Sequence, residues 1–121
     1  MKDTSVTEFS CHCGAVRLRV ADSPATATDC NCSICRRYGV LWAYYPVSQV
    51  QITGETDRYA WGVRSLEFHR CRACGCVTHW APVARESDRM GINARLLPQE
   101  VLAQVRVRRL DGAVTEEYLG E

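Results

Sequence analysis

The chain has 121 residues, a formal net charge of +1 and a hydrophobic content of 46%. The near-zero net charge argues against a surface for nucleic acid or anionic membrane, because such surfaces concentrate basic side chains. No apolar run approaches the roughly 20 residues that a membrane helix needs, and the first residues lack the apolar segment of a secretory signal. We therefore expect one cytoplasmic domain over residues 1–121, with residues 1–5 as a flexible tail.

Short strands separated by turn residues dominate the predicted secondary structure. The alternation of apolar and polar residues that is typical of half-buried strands is cleanest at residues 16–20. Strands are predicted at residues 6–10, 16–20, 25–29, 40–45, 50–53, 66–70, 77–80, 90–96 and 105–108. A helical turn is predicted at residues 33–38, a short helix at residues 98–104 and a hairpin turn at Asp111-Gly112. The pattern favours a mostly β domain of short antiparallel sheets, with one or two short helices, pinned by metal.

Eight cysteines fall into three groups along the chain. Their spacings are C-x-C-G at residues 11–14, C-x-C-x-x-C at residues 30–35 and C-x-x-C-G-C at residues 71–76. A cytoplasmic setting keeps thiols reduced, and cysteines this close are hard to cross-link without strain, so metal binding is favoured over disulfides. A secreted, disulfide-linked protein is the alternative.

The first and third groups are predicted to form a closed zinc site. Residues i and i+2 of a strand share a face, so Cys11 and Cys13 can present two sulfurs to one ion. Cys71 and Cys74 bracket a tight turn, in which Gly75 can supply a positive φ. Together the pairs make a structural four-thiol site, and zinc binding energies of roughly 10–16 kcal/mol would let it decide stability.

The second group is harder to assign, because three thiols leave a tetrahedral zinc one ligand short. The cysteines outside the first site are Cys30, Cys32, Cys35 and Cys76. They can form a second closed site, or the first three can hold a zinc with an exchangeable fourth position. Ser33 as the cap of a helical turn, with Arg36 and Arg37 beside it, favours the open site by placing positive potential near the thiolates. In that case Cys76 is a buried apolar side chain.

Three motifs carry a resemblance to a known family. They are C-H-C-G-A-V-R from Cys11, C-N-C-S-I-C-R-R from Cys30 and C-R-A-C-G-C-V-T-H-W from Cys71. In order and spacing they resemble the glutathione-dependent formaldehyde-activating enzyme family, also called the GFA/CENP-V domain family. The resemblance runs from about Ser10 to Leu110, which is nearly the whole chain.

The resemblance implies a fold, two metal sites and a reaction. The fold is an Mss4-like β-tent of short antiparallel sheets. A structural zinc is implied at Cys11, Cys13, Cys71 and Cys74. A second, catalytic zinc is implied at Cys30, Cys32 and Cys35. The name-giving reaction adds glutathione to formaldehyde, which is formally a carbon–sulfur lyase reaction in reverse.

The sequence therefore predicts a zinc-dependent enzyme that adds a glutathione-like thiol to a small aldehyde such as formaldehyde, or catalyses the reverse. The expected partners are small thiol and aldehyde substrates, with no nucleic acid and no membrane. Arg36 or Arg37 is predicted to hold a substrate carboxylate, a task that suits the bidentate guanidinium. The alternatives are a non-catalytic, zinc-stabilised binding module and a thiol or metal sensor.

A few further side chains are candidates for the substrate site. His79, near the third cysteine group, is a candidate proton carrier. Asn93 and Arg95 are expected on one polar face of a strand that reaches the same cleft. Because Tyr44 and Tyr45 face opposite sides of their strand, one of them is expected to line a pocket.

Overall fold

The computed structural model describes residues 6–84 and 86–121, so the predicted tail at residues 1–5 lies outside the described residues. Within the described ranges, most of the regular structure is β-strand. The strands are β1 (Thr7–Ser10), β2 (Arg17–Val20), β3 (Thr26–Cys30), β4 (Trp42–Tyr45), β5 (Val50–Thr53), β6 (Thr56–Tyr59), β7 (Leu66–Cys71), β8 (Val77–Pro82), β9 (Met90–Asn93), β10 (Arg106–Leu110) and β11 (Tyr118–Leu119). The helices are α1 (Cys35–Tyr38) and α2 (Gln99–Leu102), with 3₁₀ turns at Val47–Gln49 and Ala94–Leu96. The predicted mostly β class with short helices is confirmed.

The described strands form a three-stranded sheet in the order β1-β2-β5 and an eight-stranded sheet in the order β11-β10-β3-β4-β9-β8-β7-β6. Their neighbouring pairs are antiparallel, as predicted, except that β3 and β10 run parallel. In that pair Leu110 lies opposite Cys30. The loop that follows β10 therefore lies beside the cysteine run that follows β3, which brings two distant parts of the chain to one site.

The strands differ in how clearly the sequence marks them. β2 keeps its alternation, since Leu18 and Val20 are buried while Arg17 and Arg19 are exposed. β9 is buried at every position because it lies between β4 and β8 inside the large sheet. β6 has no apolar alternation, and antiparallel pairing with β7 is what makes it a strand. That pairing depends on tertiary structure, so the sequence pattern does not contain it.

The strand predicted over residues 90–96 ends at Asn93 instead. The Asn93 side chain accepts a hydrogen bond from the backbone N–H of Arg95 at 3.2 Å and caps the 3₁₀ turn Ala94–Leu96. The turn leaves Arg95 exposed, whereas Asn93 is buried. The prediction that these two side chains share one polar face is therefore wrong.

Two hydrophobic clusters fill the interior. The larger cluster joins the two sheets and includes the fully buried Leu18 and Ile92. The smaller cluster surrounds the second cysteine group and includes Trp42 and Phe68. Among the described helices, none has the length and apolar character needed to cross a bilayer. The second cysteine group thus has an aromatic core of its own.

Candidate metal centres and an aromatic cavity

Four sulfurs from two turns converge at the first predicted site. The Sγ atoms of Cys11, Cys13, Cys71 and Cys74 all lie within 4.8 Å of one another. The Sγ–Sγ distance is 3.7 Å for Cys11 and Cys13, and 3.6 Å for Cys13 and Cys71. A tetrahedral zinc with Zn–S bonds of about 2.3 Å requires S–S edges of about 3.8 Å. The donor set and its spacing therefore fit zinc.

Backbone N–H groups donate hydrogen bonds to sulfurs of this site and so stabilise negative charge on them. Cys71 Sγ accepts hydrogen bonds from the N–H groups of Ala73 and Cys74 at 3.3 and 3.4 Å. The Cys74 amide is the largest cause of the lowered pKa of Cys71, and the Cys76 amide is the largest cause that lowers the pKa of Cys74 to about 5. Gly75 closes the turn with a φ of 81°, as predicted. The turn thus stabilises thiolates, which are the form that binds metal.

Three sulfurs form the second group, where β3 ends and α1 begins. The Sγ atoms of Cys30, Cys32 and Cys35 lie within 4.8 Å of one another. Among the residues that the structure describes, no fourth His, Cys, Asp or Glu side chain joins them. The donor set fits a zinc held by three thiolates, with the fourth position left to another ligand.

The short helix α1 folds this run into a compact group. It ends at Gly39, which has a φ of 70°. The prediction that Ser33 caps the helix is wrong, because Ile34 takes the N-cap position and makes no side-chain hydrogen bond. Instead, Cys32 Sγ accepts a hydrogen bond from the N–H of Cys35 at 3.4 Å. A prospective metal ligand therefore satisfies the free amide at the start of the helix.

The pKa values of the three thiols of the second group shift in different directions. Burial raises the pKa of Cys30 and that of Cys35. Burial acts in the same direction on Cys32, but hydrogen bonds from the Cys35 amide and from the neighbouring thiols outweigh it and lower the pKa. The indole Nε1–H of Trp42 donates to Cys35 Sγ at 3.2 Å and opposes the effect of burial there. Cys32 is therefore the sulfur of this group that ionises most readily.

The loop after β10 packs on the second group at a glycine. A Cβ atom on Gly112 would lie 2.5 Å from Cys30 Sγ, a separation too short for real Cβ contacts. Asn31 holds the loop in place, because its Nδ2 donates to Asp111 Oδ1 and its Oδ1 accepts from the N–H of Ala113, both at 3.0 Å. The sequence pattern at Asp111-Gly112 indicates a turn, but the contact with Cys30 follows only from the parallel pairing of β3 and β10.

An aromatic cavity of about 410 Å³ opens beside the second group, and all three of its cysteines line it. Cavities of this size suit small molecules. The three tryptophans of the chain, Trp42, Trp61 and Trp80, all line the cavity. Tyr44 and Phe68 add further rings, and the described lining contains no Lys, Arg, His, Asp or Glu side chain. The open side of the second group therefore faces an apolar space.

Arg36, Arg37 and Cys76 do not line this cavity. Both arginines are exposed, and Arg37 Nη1 donates to the backbone carbonyl of Ser33 at 2.8 Å. The backbone carbonyl of Cys76 accepts from the N–H of Cys71 at 2.9 Å, so Cys76 sits beside the first group. Its sulfur joins neither cluster. The arrangement does not support the alternative in which Cys76 closes the second site.

His79 and the two tyrosines also have definite positions. His79 is 5% exposed, stacks on His69 with ring centroids 4.2 Å apart, and does not line the cavity. Its Nδ1 lies 2.8 Å from Thr78 Oγ1, and burial lowers its pKa to about 3. Of the two tyrosines, Tyr44 lines the cavity as expected, while Tyr45 donates its hydroxyl to a backbone carbonyl elsewhere. Of these candidates, Tyr44 lies at the cavity and His79 does not.

Comparison with known proteins identifies the family. Residues 6–107 match the family described as glutathione-dependent formaldehyde-activating enzyme, or GFA. The fold is also similar to the crystal structure of a Rhodobacter sphaeroides protein, with a TM-score of 0.66 and 29% sequence identity. That similarity covers 83% of this chain and 98% of the other chain. Since the family match spans most of the sequence and includes both cysteine clusters, the chain belongs to the GFA family.

Proposed function

We propose that the protein is a zinc-dependent enzyme of the carbon–sulfur lyase type, which adds a thiol to a small aldehyde or catalyses the reverse. One observation carries the proposal: three thiols, with no fourth described ligand side chain, lie at the wall of a cavity of about 410 Å³. A structural zinc is normally closed by four protein ligands, whereas a catalytic zinc keeps a position for water or substrate. Membership of the GFA family supports the same chemistry.

The reaction needs no oxidant or reductant. The sulfur of the thiol forms a bond to the carbonyl carbon, the C=O double bond becomes a C–OH group, and the thiol proton ends on that oxygen. A zinc held by Cys30, Cys32 and Cys35 would acidify a thiol and polarise a carbonyl. The chain's own part is to hold Cys35 through the Trp42 indole, and to exclude water with the aromatic wall. The side chain of Tyr44 is part of that wall.

Replacing Cys32 by serine tests the proposal, because its sulfur lies in the second group and its thiolate is the most stabilised of the three. Cys32→Ser should lower the zinc content from two per chain to one and abolish turnover of thiol and aldehyde, while the fold is kept. Cys76→Ser is the matched control, since that sulfur joins neither cluster, and it should keep both zinc ions and activity. Unfolding of Cys32→Ser would instead indicate a second structural site.

Zinc content, turnover and the response to oxidation separate the alternatives. A non-catalytic binding module would bind two zinc ions and show no turnover with any thiol and aldehyde pair. A sensor would release zinc from the second group on mild oxidation and take it up again on reduction. The close spacing of the cysteines favours metal binding over disulfides, as expected in a reducing compartment such as the cytoplasm.

A further inference from the structure

The wall of the cavity indicates which substrate it accepts. We propose that the thiol substrate carries an uncharged, aromatic or hydrocarbon group, and that glutathione is a poor substrate of this protein. The inference rests on the proposed function for the reaction itself. The class of ligand that it names can nevertheless be measured by binding alone.

The first argument is the absence of a partner for charge. Glutathione at neutral pH carries two carboxylates and an ammonium group. A buried ionised group is costly unless it is paired, and the described lining contains no Lys, Arg, His, Asp or Glu side chain. The arginines of the second motif, Arg36 and Arg37, are exposed and lie outside the lining. The described wall therefore offers no cationic side chain to pair with the two carboxylates of a glutathione molecule seated in the cavity.

The second argument is the apolar mouth of the cavity. The loop between β6 and β7 places Trp61 and Val63 on the lining, although Trp61 is 48% exposed and Val63 is 91% exposed. Exposed apolar area at a pocket is favourable to cover, because its removal from water stabilises the complex. A hydrocarbon group that extends from the second cysteine group would cover these two side chains, whereas a peptide backbone with charged ends would cover them poorly.

The third argument is the arrangement of the rings. Trp42 and Phe68 have centroids 6.1 Å apart, and Tyr44 and Trp80 have centroids 6.2 Å apart with planes at 61°. Rings in such tilted and edge-on arrangements present both faces and edges, which are the surfaces that a further aromatic ring contacts. The cavity can therefore extend its own aromatic packing to a ligand ring.

One cation near the wall favours an anionic ligand, which is the main alternative to the uncharged ligand proposed here. The guanidinium carbon of Arg89 lies 4.0 Å from the centroid of the Tyr44 ring. Arg89 is exposed and is not a lining residue. It could attract a carboxylate at the mouth of the cavity, so an aromatic thiol that carries a carboxylate belongs in the test.

Fluorescence titration provides the test, because every tryptophan of the chain lines the cavity. The zinc-loaded protein is titrated with phenylmethanethiol, 4-(sulfanylmethyl)benzoate and glutathione, and zinc content is checked after each titration. All three ligands offer one thiol, so differences report the attached group. Phenylmethanethiol should bind about tenfold or more tightly than glutathione, a difference that one well-buried ring can supply.

A matched pair of variants locates the effect. Trp61 and Tyr59 are half-exposed aromatic residues two positions apart, at 48% and 46% exposure, and only Trp61 lines the cavity. Trp61→Ala should weaken phenylmethanethiol binding by about tenfold, and Tyr59→Ala should leave it unchanged. Equal effects of the two variants would overturn the inference, and so would glutathione or the benzoate binding as tightly as phenylmethanethiol.

Turnover with formaldehyde separates this inference from the proposed function. Selective binding of phenylmethanethiol without formation of a hemithioacetal would contradict the proposed function and uphold the ligand class. Efficient turnover of glutathione would support the proposed reaction and contradict the proposed selectivity.

Discussion

The two cysteine clusters start from the same local motif and form different sites. Each contains a C-x-C segment, at residues 11–13 and at residues 30–32. The first segment meets a second pair of thiols from the turn between β7 and β8, and four sulfurs close around one point. The second segment gains only Cys35, and its remaining side faces an aromatic cavity. The tertiary partner of the motif, rather than the motif itself, decides whether four thiols meet or three thiols border a cavity.

The two clusters also differ in how their surroundings shift the pKa values of the thiols. Backbone N–H groups in a tight turn surround Cys71 and Cys74 of the first cluster and lower their pKa values. At the second cluster, burial raises the pKa of Cys30 and of Cys35, and only Cys32 is lowered. We infer that the first cluster serves stability and that the second is tuned for exchange of a ligand. The following experiments challenge that division.

The largest effect is expected at the first cluster. Cys71→Ser removes a sulfur that also accepts two backbone hydrogen bonds, and should cost about 4 kcal/mol or more of unfolding free energy through loss of the structural zinc. Thermal and denaturant unfolding, with zinc content, measure this loss. Cys32→Ser, at the second cluster, is the comparison and should remain folded. A similar loss of stability in both variants would remove the distinction between the clusters.

An intermediate effect is expected at the glycine behind the second cluster. Gly112→Ala forces either Cys30 or the loop after β10 to move, because the new Cβ would lie 2.5 Å from Cys30 Sγ. The second zinc should bind about 10- to 100-fold more weakly, as for other changes in the shell that supports metal ligands, while the first zinc is kept. Competition with a chelator measures both affinities.

A control from the same loop sharpens this result. Val114 is 80% exposed, so Val114→Ala should leave both zinc affinities unchanged. Equal zinc affinity of Gly112→Ala and the unsubstituted protein would show that the second cluster tolerates displacement, contrary to the contact described above.

The smallest expected effect is a decrease in stability at acid pH, and it arises on β8, the strand that leaves the first cluster. Burial lowers the folded-state pKa of His79 to about 3, below the ordinary 6.5. As the pH falls below 6.5, His79 becomes protonated in the unfolded chain, whereas in the folded chain it stays neutral until about pH 3. The free energy of unfolding therefore decreases between pH 6.5 and pH 3. From pH 7 to pH 5 the expected decrease from this group is about 2 kcal/mol.

Denaturant unfolding at a series of pH values measures the slope of the unfolding free energy against pH. His79→Phe keeps a ring in the stack with His69 and should reduce the slope between pH 7 and pH 5. His12 is exposed, so His12→Gln serves as the control and should keep it. An unchanged slope in His79→Phe would assign the acid sensitivity to the metal sites instead.

Prediction from sequence succeeded where the signal is local. The alternation of β2, the positive φ of Gly75 and the left-handed Gly39 at the end of α1 are properties of a few neighbouring residues. It failed where a side chain competed with that pattern, as when Asn93 capped the turn that ends β9. It also missed β6, whose four residues have no apolar period.

The candidate sites divide in the same way. The cysteines within each motif could be grouped from their spacing, whereas spacing left open whether Cys76 closes the second site. The exposure of Arg36 and Arg37 could not be derived from the sequence, because the direction of a helix face depends on what the helix packs against. The contact of Gly112 with Cys30 was equally hidden, since it depends on a parallel pair of strands far apart in the chain.

The sequence by itself determined the chemistry available to this protein, through eight thiols in three tightly spaced groups. Close spacing limits the geometry of the donors whatever the rest of the chain does, so two clusters able to hold a metal ion could be anticipated. Only the tertiary structure decided which group has an open side and what that side faces. The reason is that the cavity wall comes from segments distant in sequence, Trp42, Trp61 and Trp80 among them, which meet only when the large sheet has formed.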